Sequence, residues 1–404
     1  MQGKPFSRVG CRAGSLSRHP SCPEYVFYPP LSARYLCRMI KFTVYIPSLF
    51  LSSDLPDITI ATDHEAVNFR ISIGSAVLLE GRYYAFNGNI TVSDIVPLIQ
   101  DNIAGNIDMN LVDVHLEAFD GDESDTLDFP VLYSNKLTGL YDPSDWLREN
   151  FLTLSHTRRL SPDGYINVSW YAANREGVMF RVYATFINDK GLRDTYQYAH
   201  SGNGQIAHSN GVLTEYIMLD ALRDLIIERK KIESLILQSV TVRCGERSAT
   251  FFIDPALADI VPFFYLNCFG VVEQLSLQRT TTEKVKSDRS IATLGKSSQF
   301  YDVTTSKEYE VESAALTSDE CLQVEQMLTS PSVRIPYGPN TSLYDNDFDA
   351  LIPILITDFT SELSDTDEKL NSVKFTWRFA ENRPKIAAPQ SPGIFNDKFN
   401  PTFS

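Results

Sequence analysis

The feature that most constrains the fold is a pattern of strands, turns and one helix that occurs twice. In the first copy Val67-Asn-Phe-Arg-Ile-Ser-Ile turns at Gly74 and runs on through Val77-Leu-Leu-Glu-Gly-Arg-Tyr-Tyr-Ala-Phe. The hairpin signal Asn87-Gly-Asn follows, then a short helical pattern from Asp94 to Ile103. Two further strand patterns, Val112 to Phe119 and Thr126 to Tyr133, are joined by the acidic turn Asp120-Gly-Asp-Glu-Ser-Asp. Apolar residues recurring at period two give each strand one core face and one wet face, and Asn-Gly supplies the backbone a tight hairpin turn needs.

The second copy keeps the order. Val178-Met-Phe-Arg-Val-Tyr-Ala-Thr-Phe leads through Asp189-Lys-Gly to Thr195-Tyr-Gln-Tyr-Ala, and the turn-rich Ser201-Gly-Asn-Gly and Ser209-Asn-Gly follow. A helix then sets Met218, Leu219, Leu222, Leu225 and Ile226 on one face, before Val240-Thr-Val-Arg-Cys and Ala249-Thr-Phe-Phe-Ile around the turn Gly245-Glu-Arg. Both copies carry a Phe-Arg pair, Phe69-Arg70 and Phe180-Arg181. The expectation is a duplicated β domain, over 39–140 and 161–260. Between them, 141–160 is expected to be a helical linker, because Asp142-Pro-Ser-Asp-Trp reads as a helix start.

The region 261–382 reads as a C-terminal α+β module. Its strand Lys307-Glu-Tyr-Glu-Val-Glu sets Glu308, Glu310 and Glu312 on one face and Tyr309 and Val311 on the other, as in a sheet with one buried side. Thr317-Ser-Asp-Glu320 is a capping-box start, and Pro331 lies just past the helix it opens. In the last strand Val373, Phe375, Trp377 and Phe379 share a face. Residues 383–404, which hold Pro384, Pro389, Pro392 and Pro401, are expected to be a disordered tail. The expected fold class is mainly β: sandwich-like modules with a few short helices, two similar N-terminal β domains and the C-terminal α+β module.

Composition narrows the function classes. The net charge of −15 argues against nucleic acid or an anionic membrane as the main partner, since both repel an acidic surface. No apolar run approaches the ~18–20 residues of a spanning helix. Residues 1–38 differ in kind, with six basic residues, one acidic residue, three of the six cysteines and no usable periodicity. They are expected to be spurious or a disordered leader, with the biological start at Met39; N-terminal sequencing of native protein decides this. Cys244, Cys268 and Cys321 match no zinc-ligand spacing and read as buried thiols.

No HExxH, HxH, GxSxG, P-loop or CxxC pattern occurs, so no catalytic residue, cofactor or metal is expected. The acidic groups Asp120/Asp122/Glu123/Asp125, Asp345/Asp347/Asp349 and Asp365/Asp367/Glu368 match no EF-hand spacing and read as solvated turns. Gly202-Asn-Gly204 reads as a turn and not a phosphate cradle. One basic stretch stands out in the acidic body: Arg279, Lys284, Lys286 and Arg289. Without interleaved aromatics it is a poor single-strand binder. It reads as a β-arm whose positive side meets an acidic neighbouring subunit, so these four residues are the expected subunit interface. The alternative is a glycan- or receptor-binding module using Trp146, Trp170 with Tyr171, or Tyr83 with Tyr84.

The third region also carries a resemblance. Asn267-Cys-Phe-Gly, Lys286-Ser-Asp-Arg-Ser, Thr305-Ser-Lys-Glu-Tyr-Glu-Val-Glu, Leu316-Thr-Ser-Asp-Glu, Ser364-Asp-Thr-Asp-Glu-Lys-Leu-Asn and Val373-Lys-Phe-Thr-Trp-Arg-Phe-Ala-Glu-Asn-Arg together resemble uncharacterised phage and prophage proteins of gut Bacteroidetes, from gene blocks similar to tail modules. The resemblance implies a virion structural protein near the tail tip or baseplate, made in the bacterial host cytoplasm. It also implies a homo-oligomer that contacts other tail proteins; from the acidic charge, no nucleic acid and no membrane partner is expected.

Overall fold

Both repeated patterns fold into a pair of mainly antiparallel sheets closed over an apolar interior. The computed structural model describes residues 39–380 apart from 45–46, 104–109, 141, 173–178, 202–210, 295–296, 337–347 and 363–370. The expected leader 1–38, the tail 383–404, Gly202-Asn-Gly204 and the acidic groups around Asp345 and Asp365 lie outside these, Asp349 excepted.

The first module contains β1 (Ile40–Phe42), β2 (Phe50–Leu51), β3 (Ile58–Thr62), β4 (Ala66–Ile73), β5 (Ala76–Tyr84), β6 (Asn89–Val92), helix α1 (Ile95–Ile103), β7 (Leu111–Asp120) and β8 (Glu123–Leu132). Its sheets have the orders β1-β3-β6 and β2-β8-β7-β4-β5. All pairs are antiparallel except β2 with β8. The inner faces supply Ile58, Ile60 and Ile90 from one sheet and Phe69, Ile71, Val114 and Leu116 from the other, all buried. α1 adds Ile95, Ile99 and Ile103, one stripe at i, i+4, i+8. Truncating an enclosed side chain such as Phe69 costs about 3–5 kcal/mol.

A helix, α2 (Ser144–Glu149), leads into the second module. There β9 (Thr157–Leu160), β10 (Tyr165–Tyr171), β11 (Met179–Asn188), β12 (Arg193–Ser201), β13 (Val212–Met218), α3 (Leu219–Lys230), β14 (Leu235–Cys244) and β15 (Arg247–Ile253) repeat the plan. The large sheet has the order β12-β11-β14-β15-β9, again with its last pair, β15 and β9, parallel; β10 pairs with β13. Strand for strand this is the first module's large sheet, and both modules have the strand order of an immunoglobulin-type sandwich. The β7–β8 and β14–β15 turns agree in detail. Asp120 pairs with Glu123 and Cys244 with Arg247, and the residue after the first strand is a glycine at φ 64° or 62°. A side chain there would be strained.

The shared Phe-Arg pair is not at matching positions. Phe69 faces Ala118, two residues before the turn residue Asp120, whereas Phe180 faces Cys244, the turn residue itself. The side chains share a face because the offset is two. Among its described residues the expected helical linker 141–160 is α-helical only over Ser144–Glu149, and Thr157–Leu160 is an edge strand of the second module. Its alternation is hidden in the sequence because one of its inward positions holds Arg158 in place of an apolar residue; Leu160 fills the other.

The third module is one seven-stranded sheet with a helix. It comprises β16 (Phe263–Leu266), β17 (Val272–Leu275), β18 (Arg279–Leu294), β19 (Ser297–Ser313), α4 (Ser318–Leu328), β20 (Val333–Ile335), β21 (Ile352–Glu362) and β22 (Ser372–Phe379), in the order β17-β16-β20-β21-β22-β19-β18. Thr317 and Glu320 form the capping box at the start of α4: the Thr317 hydroxyl accepts from the Glu320 amide, and the Glu320 carboxylate accepts from the Thr317 amide. Val373, Phe375 and Trp377 are buried on one face, and Trp377 stacks on its cross-strand partner Tyr309 at 4.2 Å. A further core joins the modules through Leu49, Leu132, Leu147, Val212, Phe269 and Val271.

Candidate assembly surface

The sequence of β18 and β19 is dense in Thr and Val, which suit extended backbone whether or not it is covered. The two strands pair along their whole length, Arg279 with Ser313 to Leu294 with Ser297. Among the described residues β22 pairs with β19 from Tyr309 to Glu312. Beyond that point, among the described residues, the hairpin runs on as a two-stranded arm with β18 as the terminal strand of its sheet.

The four basic residues expected at an interface have different fates. Arg279, at the base, turns inward: its guanidinium lies 4.4 Å over the Phe263 ring and donates to the Val261 carbonyl at 2.7 Å. Burial pulls its pKa down to about 10. Arg279 therefore anchors the arm and is not part of its outer surface. Lys284 and Lys286 are exposed and engaged within the hairpin, Lys284 with Glu310 and Lys286 with Glu308 at 2.7 Å. Glu283 holds Lys307 at 2.7 Å. Lys374 of β22 reaches Glu310 at 2.6 Å, so two lysines, Lys284 first, hold the Glu310 carboxyl down at about 2. Arg289 lies on β18 opposite Val303. The arm is thus a charge ladder of both signs and not the positive face expected from the sequence, because antiparallel register brings Glu308 and Glu310 across from the lysines.

The base of the arm belongs to a body whose modules are fastened by buried polar groups that the sequence reading did not single out. Arg158 of β9 and Glu273 of β17 are 4 % and 2 % exposed and meet at 2.8 Å. The other donors to Glu273 are the Tyr265 hydroxyl and the Asn267 amide, each at 2.8 Å. Burial first, with the Glu273 charge adding, raises Tyr265 well above its usual range, so its hydroxyl stays the proton donor. Asn267 also donates to the Leu152 carbonyl, and Asn167 to the Val272 carbonyl. Next in sequence to Arg158, Arg159 bridges Asp254 and the capping residue Glu320. Arg158, Arg159, Asp254 and Glu320 border a cleft of ≈ 540 Å³ with an apolar wall of Ile236, Phe252 and Pro255.

Most of the other candidate side chains among the described residues pair or pack within the chain. Asp120 and Glu123 clamp His64 at 2.9 and 2.8 Å, and Asp125 accepts from the Phe42 amide. The Glu123 hydrogen bond, opposed by burial and aided by Asp120, raises the His64 pKa. Among the described residues no group of three or more His, Cys, Asp or Glu side chains is placed to hold a metal ion. Cys244, Cys268 and Cys321 are buried free thiols, and burial pushes Cys268 up to about 12. Of the aromatic platforms, Trp170 is core, packed edge-on against Phe180, and Trp146 is half-buried against Phe269. Tyr83 packs on Phe69, leaving Tyr84 exposed. Among the described residues no helix is long and apolar enough to cross a membrane.

No family model matches the chain, and no curated protein matches it. Among solved structures it is similar to a chimeric titin Z1Z2 functionalized with a KLER exogenous peptide from decorin, at 13% identity and a TM-score of 0.16, over 54% of this chain and 97% of that one. A chimeric titin Z1Z2-Z1Z2 tandem matches at 8% identity and 0.16, over 54% and 100%. CBD12 from CALX1.2 matches at 10% identity and 0.17, over 51% and 79%. The mainly-β sandwich description stands on the strand orders given above.

Proposed function

We propose that this chain is a non-catalytic structural component of a phage or prophage tail, in the tail-tip or baseplate region, working through protein–protein contacts. The observation that carries the reading is the combination of a body fastened by buried polar groups with one long two-stranded arm reaching beyond its sheet. A subunit that transmits position through an assembly needs modules that do not reorient and an element that reaches a neighbour. The resemblance of the third region to tail-module proteins supports the same reading. In it the chain associates with itself and with other tail proteins in the virion, after synthesis in the bacterial host cytoplasm.

The test is particle composition. Virions purified after induction of a lysogen carrying this gene are analysed by mass spectrometry and by immunogold labelling. The reading expects the chain in the particles in fixed ratio to other tail proteins, with label at one end of the tail. Particles that lack the chain overturn it.

A further inference from the structure

We propose that the outer edge of β18 pairs antiparallel with β18 of a second copy of this chain, about a two-fold axis through Lys286. This deepens the assembly reading, and rests on it only in taking protein contacts to be the function. An edge strand offers a row of unpaired amide and carbonyl groups that a further strand can satisfy. β18 is sixteen residues long, and among the described residues no strand pairs with its outer edge. The hairpin's one irregularity falls on the other strand: Ser290 pairs with Asp302 and Ile291 with Phe300, so the extra residue lies in β19 and β18 stays regular.

The charge ladder chooses the partner. On one face it runs Lys374, Glu310, Lys284 and stops on a cation at the open edge. On the other it runs Lys307, Glu283 and stops on an anion. The strand that continues the alternation must bring an anion opposite residue 284 and a cation opposite residue 283. The sequence Glu283-Lys-Val-Lys-Ser-Asp-Arg289 does this for itself when reversed about Lys286. Position 284 then faces position 288 of the second copy, an aspartate, and position 283 faces position 289, an arginine. By symmetry each pair occurs twice. Val285, 57% exposed, comes diagonally across from its own counterpart.

The one like-charged pair, position 286 against itself, is eased because Glu308 already holds Lys286. Lysines on an edge strand commonly serve to prevent pairing. Here each end of the ladder has a complementary charge at the matching register, which simple repulsion would not require. Geometry permits the approach: position 279 of one copy lies opposite position 293 of the other, so the two bodies sit roughly 46 Å apart along the strands at about 3.3 Å per residue.

The test uses the full chain and charge reversal in halves. Wild type is expected to form a concentration-dependent dimer by light scattering and native mass spectrometry. Glu283→Lys with Lys284→Glu sets like charges opposite each other in all four cross-copy pairs, as does Asp288→Lys with Arg289→Glu. Each double variant is expected to weaken the dimer by at least about tenfold, since like charges directly opposite are destabilising. Mixed in equal amounts, the two variants complement each other, and a heterodimer is expected to reappear. Half-reversed variants that dimerise like wild type, a mixture that stays monomeric, or a monomeric wild type overturns the proposal.

A second measurement covers variants that fold poorly. In a background with Cys11, Cys22 and Cys37 changed to serine, Lys286→Cys is expected to cross-link to itself on mild oxidation, and Thr282→Cys is not. Directly opposed residues lie about 4.5–5.5 Å apart, within disulfide reach. Equal cross-linking at both positions overturns the register. A chain present in virions but monomeric by these measures would sink the arm pairing alone; a dimer absent from virions would sink the tail reading alone.

Discussion

Replacing Glu273 by glutamine changes one oxygen and tests the junction between the second and third modules. The carboxylate accepts from Arg158, Tyr265 and Asn267, all at 2.8 Å, in a site where neither Arg158 nor Glu273 is more than 4 % exposed. Glutamine keeps the shape and one acceptor but leaves the Arg158 charge without a counter-charge. Removing one partner of a buried pair costs about 3–5 kcal/mol, far beyond the ~0.5 kcal/mol of an ordinary surface change. At ~1.4 kcal/mol per decade this is roughly a hundredfold to a few thousandfold in the folding equilibrium. Urea unfolding followed by circular dichroism and by tryptophan fluorescence reads the loss. Trp170 reports the second module and Trp377 the third. Arg158→Met, and the double variant, complete a cycle in which the double variant should cost less than the two singles together. A Glu273→Gln protein within about 0.5 kcal/mol of wild type, or strictly additive costs, would refute the claim that this pair fastens the modules.

Other outcomes follow from the same geometry. Thr317→Ala removes the cap of α4 and should cost about 1 kcal/mol, with faster amide exchange confined to the first turn of that helix. His64, raised by Glu123 and Asp120, contributes stability that is fully present below about pH 6.5 and lost as the pH rises through its higher folded-state value. The stability gap between wild type and His64→Gln should therefore close on going alkaline, and a gap that widens instead would contradict the clamp. Glu310, held near 2 by Lys284 and Lys374, contributes stability present above about pH 4.5 and lost as the pH falls towards 2. Glu310→Gln should accordingly match wild type in strong acid and fall below it at neutral pH, in amide exchange of the arm.

What was legible in the sequence was what local periodicity encodes. The duplicated strands, the Gly121 and Gly245 turns and the Thr317 cap each depend on residues within a few positions of one another. The junction depends on Arg158 and Glu273, 115 residues apart, and each reads locally as an ordinary surface charge. One signal was available: Glu273 sits in Val271-Val-Glu-Gln-Leu-Ser-Leu, a run with no other charge and four apolar residues, and an acid in such a run is either an edge or a buried pair. The arm shows the same limit. Lys284 and Lys286 look like a basic patch until hairpin register sets Glu310 and Glu308 beside them, and Arg279 looks exposed until Phe263 is found beneath it.

The two sets of charges serve different ends because their surroundings differ. At the junction, desolvation makes a mismatch expensive, so Arg158, Glu273, Tyr265 and Asn267 permit one arrangement of the modules and penalise others. On the arm the pairs stand in water, where each contributes about 0–1 kcal/mol and is screened by salt. Such pairs cannot supply tight association by themselves, but their alternation can select one register of an edge that backbone groups would otherwise join in many. The body would then fix where the arm points while the arm's charges fix how it pairs. Association through the arm should weaken as ionic strength rises, while the unfolding midpoint of the body, held by its buried pair, should move little over the same range.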